Sequence, residues 1–192
     1  MNPLHEIVSL SKLRVLNSLK PPKYSQLVEI FLVFLVGSTL MLILGFTNGL
    51  LQYKPVKFSI GIYTKKIVRT LFFPATIEEI FIRVLLIPSA PEIVRANAKE
   101  ILLSSIVSLS IYIFYHIPVS LIIDKLMGNN TSYFETFTNL PFLFSVFLLG
   151  LICTISYLRT GSILPSICFH WIVVTVWLLL LNGVNKLSNN LV

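Results

Sequence analysis

The chain has 192 residues, 55% of them hydrophobic and 12% charged, where an ordinary soluble domain carries about 25% charged residues. With a mean hydropathy of +0.86 there is too little polar surface to cover a water-soluble globule, which excludes a soluble enzyme, a disordered chain and a disulfide scaffold. The formal net charge of +7 does not point to nucleic acid, because the basic residues sit beside apolar runs.

Lys12, Arg14, Lys20 and Lys23 precede the first run, and Lys54, Lys57, Lys65, Lys66 and Arg69 follow it. Cations in such places ordinarily meet anionic lipid headgroups, at about 1 kcal/mol each. Stretch 4–19 mixes apolar and basic residues without a clean face and fits a segment lying on the membrane surface. The chain thus divides into a basic N-terminal segment, 1–26, a transmembrane helical domain, 27–185, and a polar tail, 186–192.

A helix crossing the ~30 Å hydrocarbon layer needs about 20 mostly apolar residues. Stretches 30–53, 101–123, 136–158 and 160–185 meet that test without an Asp, Glu, Lys or Arg. The first is too long for a signal-peptide core and reads as a retained span. Stretch 70–91 is equally apolar except for Glu78, Glu79 and Arg83. None of the runs shows the period-two alternation of a membrane β-barrel. The expected fold is therefore all-α, a polytopic bundle of about five membrane-embedded helices.

The links are short, and the one over 124–135 contains Gly128-Asn129-Asn130. Arg159-Thr160-Gly161 is so tight that the last two helices should be antiparallel neighbours. Gly161 suits a helix C-terminus, Ser162 an N-cap, and Pro165 the first turn of the next helix. Lys and Arg balance on the two sides of such a bundle, so the positive-inside rule gives no orientation. Cys153 and Cys168 lie inside apolar runs and form no C-x-x-C pair, so they read as packing residues.

An ionised residue at mid-helix costs about 2.5–3.5 kcal/mol on the insertion scale. Glu79 and Arg83 are four residues apart and pair along one helix face. Glu78 lies about 140° round the helix from Arg83 and needs a different partner. A carboxyl with a tunable proton in a dry site suits general acid–base chemistry. Pro74 removes the donor to the Thr70 carbonyl and loosens the helix just before it. His116 and His170 lie in two other spans. By helical rise His116 reaches about the depth of Glu78, while His170 is nominally ~6 Å away in depth. A Glu and a neutral His together remove a proton from water, and a second His stabilises an oxyanion. The same residue types also suit a zinc site or the proton relay of a transporter. Spacing alone does not separate these.

Three motifs occur in order. Glu78-Glu79-Ile80-Phe81-Ile82-Arg83 has the pattern E-E-x-x-x-R. Tyr112-x-x-x-His116 is close to F-x-x-x-H, and Leu158-Arg159-Thr160-Gly161-Ser162-Ile163-Leu164-Pro165 leads on to His170. On these the chain resembles the CPBP family, the CAAX-protease and bacteriocin-processing intramembrane proteases also called Abi, with a core over 70–182. The resemblance implies a helical membrane peptidase in which Glu78 activates water, His116 assists it and His170 belongs to the oxyanion site. Glu79 and Arg83 would support them. It implies no cofactor, with zinc as the alternative. The implied partners are membrane lipids and a peptide or protein substrate, membrane-anchored in some members, with no nucleic acid. The implied location is a prokaryotic cell membrane.

One position departs from the pattern. The third motif usually ends H-x-x-x-N or in a similar polar residue, and here the fourth residue after His170 is Val174. An apolar side chain donates nothing to an oxyanion, and Thr175 lies about 100° further round the helix. Two other functions therefore stay open: a non-catalytic assembly or immunity factor on the same fold, and a small proton-coupled transporter.

Overall fold

A computed structural model describes residues 3–127 and 131–188, and every regular element among them is helical. The Gly128-Asn129-Asn130 link and the tail beyond residue 188 lie outside the described residues.

Three helices are long and apolar enough to cross a membrane. The first is α2, Tyr24–Thr47, preceded by α1, Pro3–Ser18. Helix α2 stops short of the expected 30–53 run because the chain reverses at Asn48-Gly49, where Gly49 adopts φ +74°. Only glycine takes that conformation freely. The residues after it run back beside the end of the last long helix, with Lys54 N–H donating to Leu180 O at 3.0 Å and Val56 N–H to Leu179 O at 3.0 Å.

The second span, Ala98–Met127, is jointed at Tyr115 into α6, Ala98–Phe114, and α7, His116–Met127. Pro118 explains the joint: it has no N–H to give the carbonyl of Phe114 four residues back. Asn97 caps α6, accepting from Glu100 N–H at 2.9 Å.

The third span, α9, Leu140–Thr160, is the central helix. Half of its most apolar window is buried inside the protein, against 11% for α2. Gly161 ends it at φ +66°, and a Cβ there would stand 2.7 Å from Ala90 Cβ. Helix α10, Leu164–Leu180, follows with Pro165 in its first turn. Its cap falls on Ile163, one residue later than expected, although Ser162 Oγ accepts from Leu164 N–H at 3.3 Å. Helices α9 and α10 are neighbours as the tight link requires. Ser166 Oγ donates to Cys153 O at 3.0 Å across the contact, and both cysteines are free.

The anomalous run is not one helix over 70–91. It comprises α3, Ile60–Thr70, a wide π-type turn Leu71–Thr76, the single turn α4, Ile77–Glu79, and a second wide turn Ile80–Val84. The break sits at Phe73, at φ −136° and ψ 115°, immediately before Pro74. Proline excludes the helical conformation from the residue before it. Short helices complete the chain: α5, Ala90–Ile93, α8, Tyr133–Thr138, and α11, Gly183–Leu187.

Helix α1 is tied to this framework by polar bonds. Arg14 donates from Nη1 to Leu85 O at 2.9 Å and from Nε to Glu92 Oε1 at 3.1 Å, and Ile163 N–H donates to Ser18 O at 2.8 Å. Burial pushes the Glu92 carboxyl up, but bonds from the Ser89 N–H and hydroxyl and from Arg14 outweigh it and hold it below the usual carboxylate range. A group depressed in the folded state contributes stability above its ordinary pKa, and that contribution is lost as pH falls through the lowered value. Amides of α1 should therefore be protected at neutral pH and lose protection in acid. In Glu92→Gln the pH dependence should vanish. Hydrogen exchange, corrected for intrinsic rates, checks this.

Candidate active site

The site begins with the break at Phe73. Pro74 donates nothing to the Thr70 carbonyl, and Thr76 Oγ instead bonds Leu71 O at 2.7 Å across the wide turn. The winding stays wide after α4, where Leu85 N–H reaches Ile80 O at 3.2 Å, five residues back. Such bulges re-aim side chains within a helix. Here they leave Glu78 and Glu79 both pointing inward. The 140° separation of Glu78 from Arg83, which assumes regular winding, does not apply.

Glu79 and Arg83 are fully buried. Arg83 Nη1 lies 3.2 Å from Glu79 Oε1, and Nη2 donates to Gly150 O at 3.2 Å. The guanidinium lies 4.1 Å from the centre of the Tyr112 ring. Gly150 makes this approach possible, since a Cβ there would stand 2.6 Å from Tyr112 Cδ1 and 2.7 Å from Leu109 Cδ1.

His170, also buried on α10, donates from Nδ1–H to Glu79 Oε1 at 2.8 Å, while its Nε2 stands 3.7 Å from Glu78 Oε2. A carboxylate only accepts, so Nδ1 carries a proton, and the ring turns its Nε2 toward Glu78. His116 is held in the same way. Its Nδ1–H donates to Tyr112 O at 2.8 Å, which again leaves Nε2 free. The Tyr112 ring stands edge-on to both imidazoles, 5.5 Å from His116 and 5.9 Å from His170. Glu78 interacts electrostatically with His116 and with the side chain of Tyr115.

Glu78, Glu79, Arg83 and His170 thus meet directly, and His116 joins across the Tyr112 ring. The nominal ~6 Å mismatch in depth is absent because the broken helix does not follow the straight-helix rise. Thr175 turns away, its hydroxyl 2.9 Å from that of Thr70. Three contributors carry no signal in the sequence. Gly150 is one small residue in an apolar run, and Phe137 and Phe142, whose rings lie 5.4 and 6.0 Å from His116, look like ordinary span residues.

The arrangement gathers the Glu78 carboxylate and two imidazole Nε2 atoms beside one buried cation. Glu78 Oε2 is itself buried, with no hydrogen-bond donor among the described residues. That set suits taking a proton from water. It does not suit zinc: among the described residues no three His, Cys, Asp or Glu side chains group as ligands would. No step is derived through an ion.

Removing one partner of a buried ion pair strands the other charge, at about 3–5 kcal/mol. Arg83→Met should therefore destabilise the fold by about that much. Adding Glu79→Gln should recover part of the loss, because it removes the stranded carboxylate. Unfolding in detergent micelles measures both.

A family model described as type II CAAX prenyl endopeptidase Rce1-like matches residues 61–176, which include Glu78, Glu79, Arg83, His116 and His170. No curated protein and no solved structure gives a significant match.

Proposed function

Since the chain belongs to the Rce1-like type II CAAX prenyl endopeptidase family, we propose that it hydrolyses a peptide bond within the membrane, using water activated at Glu78. The observation that carries this is the 3.7 Å approach of His170 Nε2 to Glu78 Oε2, with His170 oriented from behind by the buried Glu79 carboxylate. An acid–base pair steadied by a third group is the arrangement that proton transfer needs.

In this reading water hydrogen-bonds to Glu78 and to the bare Nε2 of His116. Its oxygen adds to the scissile carbonyl carbon as its proton passes to the Glu78 carboxylate. The carbonyl oxygen becomes an oxyanion. When the tetrahedral intermediate collapses, the C–N bond breaks and the proton on Glu78 goes to the departing amine. His170 serves the oxyanion only when its Nε2 carries a proton, one shared with Glu78 across the gap. Glu79 and Arg83 act as positioning residues. The substrate is a peptide or protein segment that reaches the site from the lipid phase, a prenylated one being the family's named class.

Val174 favours one rival, a non-catalytic assembly or immunity factor on the same fold, whose biological effect Glu78→Gln would leave intact. The deciding experiment incubates the protein in nanodiscs with prenylated and unprenylated peptides and reads new termini by mass spectrometry. Glu78→Ala should lower cleavage by about 100-fold or more without changing the unfolding temperature by more than a few degrees. Equal cleavage by both proteins would remove Glu78 from the mechanism.

A further inference from the structure

As water adds to a peptide carbonyl, negative charge gathers on its oxygen. Sites that speed this step hold preorganised donors where that oxygen will be. Around Glu78 most of the neutral donors are spent. His116 Nδ1–H serves Tyr112 O and His170 Nδ1–H serves Glu79. Thr175 pairs with Thr70, and Trp171 Nε1–H donates to Ile67 O at 2.9 Å. Arg83, fully buried, is held as a charge by Glu79 and Gly150 O, although its Nε and Nη1 have no hydrogen-bond partner among the described residues, and the Tyr115 side chain bonds Glu78 itself. Val174 offers only methyl groups.

One neutral donor remains. Trp177 Nε1 is buried and has no partner among the described residues. An unmet N–H away from water costs free energy, so an indole placed this way is an unused donor. Seven residues of helix turn through about 700°, which returns Trp177 to within about 20° of the face of His170. Helical side chains lean toward the N-terminus, so the indole covers the turn around Val174, where a polar fourth residue would otherwise project. Its ring lies 5.6 Å from that of Phe142, which in turn lies 6.0 Å from His116. It packs on the cluster that contains Tyr112 and Ile82. From behind, Gly183 is so close that a Cβ would stand 2.9 Å from Trp177 Cδ2, which fixes the ring.

We propose that Trp177 Nε1–H donates to the carbonyl oxygen of the bound substrate peptide, supplying the neutral donor that residue 174 lacks. The inference rests on the peptidase reading above. Trp177→Phe keeps the ring and deletes the N–H. With a peptide that the wild type cleaves, it should lower kcat on the order of 100-fold, with KM changed far less. Val174→Asn added to Trp177→Phe should restore much of the loss, a recovery that a misfolded variant could not show. In the Glu78→Gln protein labelled with 15N-tryptophan, one indole N–H resonance should move downfield when the same peptide binds, and that resonance should be absent once Trp177→Phe is added. Cleavage that is lost in Glu78→Ala but unchanged in Trp177→Phe overturns this proposal alone. A wild type that cleaves no peptide overturns the peptidase reading and this proposal with it.

Discussion

The Arg83 guanidinium has no exposure to its surroundings, and four separate elements close around it. Glu79 comes from α4, the Gly150 carbonyl from α9, the Tyr112 ring from α6, and His170, through Glu79, from α10. Bringing a charge out of water costs several kcal/mol even after relaxation, and only close partners offset it. Among membrane helices lipid tails are as apolar as the side chains they replace, so association relies on packing and on polar contacts. A charge that must be met from four sides therefore does more than neutralise itself. It sets where those helices stand relative to one another.

The same hub divides two adjacent carboxylates. Glu79 faces Arg83 and the Nδ1–H of His170 and is committed to structure. Glu78 next to it faces Nε2 of that imidazole across 3.7 Å, and the side chains of His116 and Tyr115. Neighbouring residues with one chemistry thus receive different tasks from their surroundings, as paired carboxylates do wherever environments separate them. The tautomers follow from the same geometry. Each histidine gives its Nδ1 proton to a fixed acceptor, so each presents Nε2 to the site.

Small and irregular residues make room for this. Gly150 lets Tyr112 and Arg83 approach the backbone of α9, and Gly161 brings the α9–α10 turn against Ala90. Pro74 breaks the one helix that carries charge, and the wide turns on either side of α4 swing both glutamates inward. Regular winding would have turned one of them elsewhere.

The sequence by itself determined the all-helical membrane class, because a composition this apolar leaves the backbone no way to satisfy its polar groups except internally. It also determined the Glu79–Arg83 pair, since four residues of helix place such groups side by side, and the family, through three ordered motifs. The end of α9 at Gly161 was equally legible, because a positive φ is a local demand. What only the tertiary structure decided was longer in range. That Pro74 produces two wide turns rather than a simple kink depends on what packs against them. The meeting of His170 with Glu78 depends on that break. The burial of Gly150 under Tyr112, the aromatic rings around His116 and the indole of Trp177, unpaired among the described residues, depend on which helix faces which. In runs that are apolar all round, no periodicity marks an inward face, and so only the packed bundle reveals it.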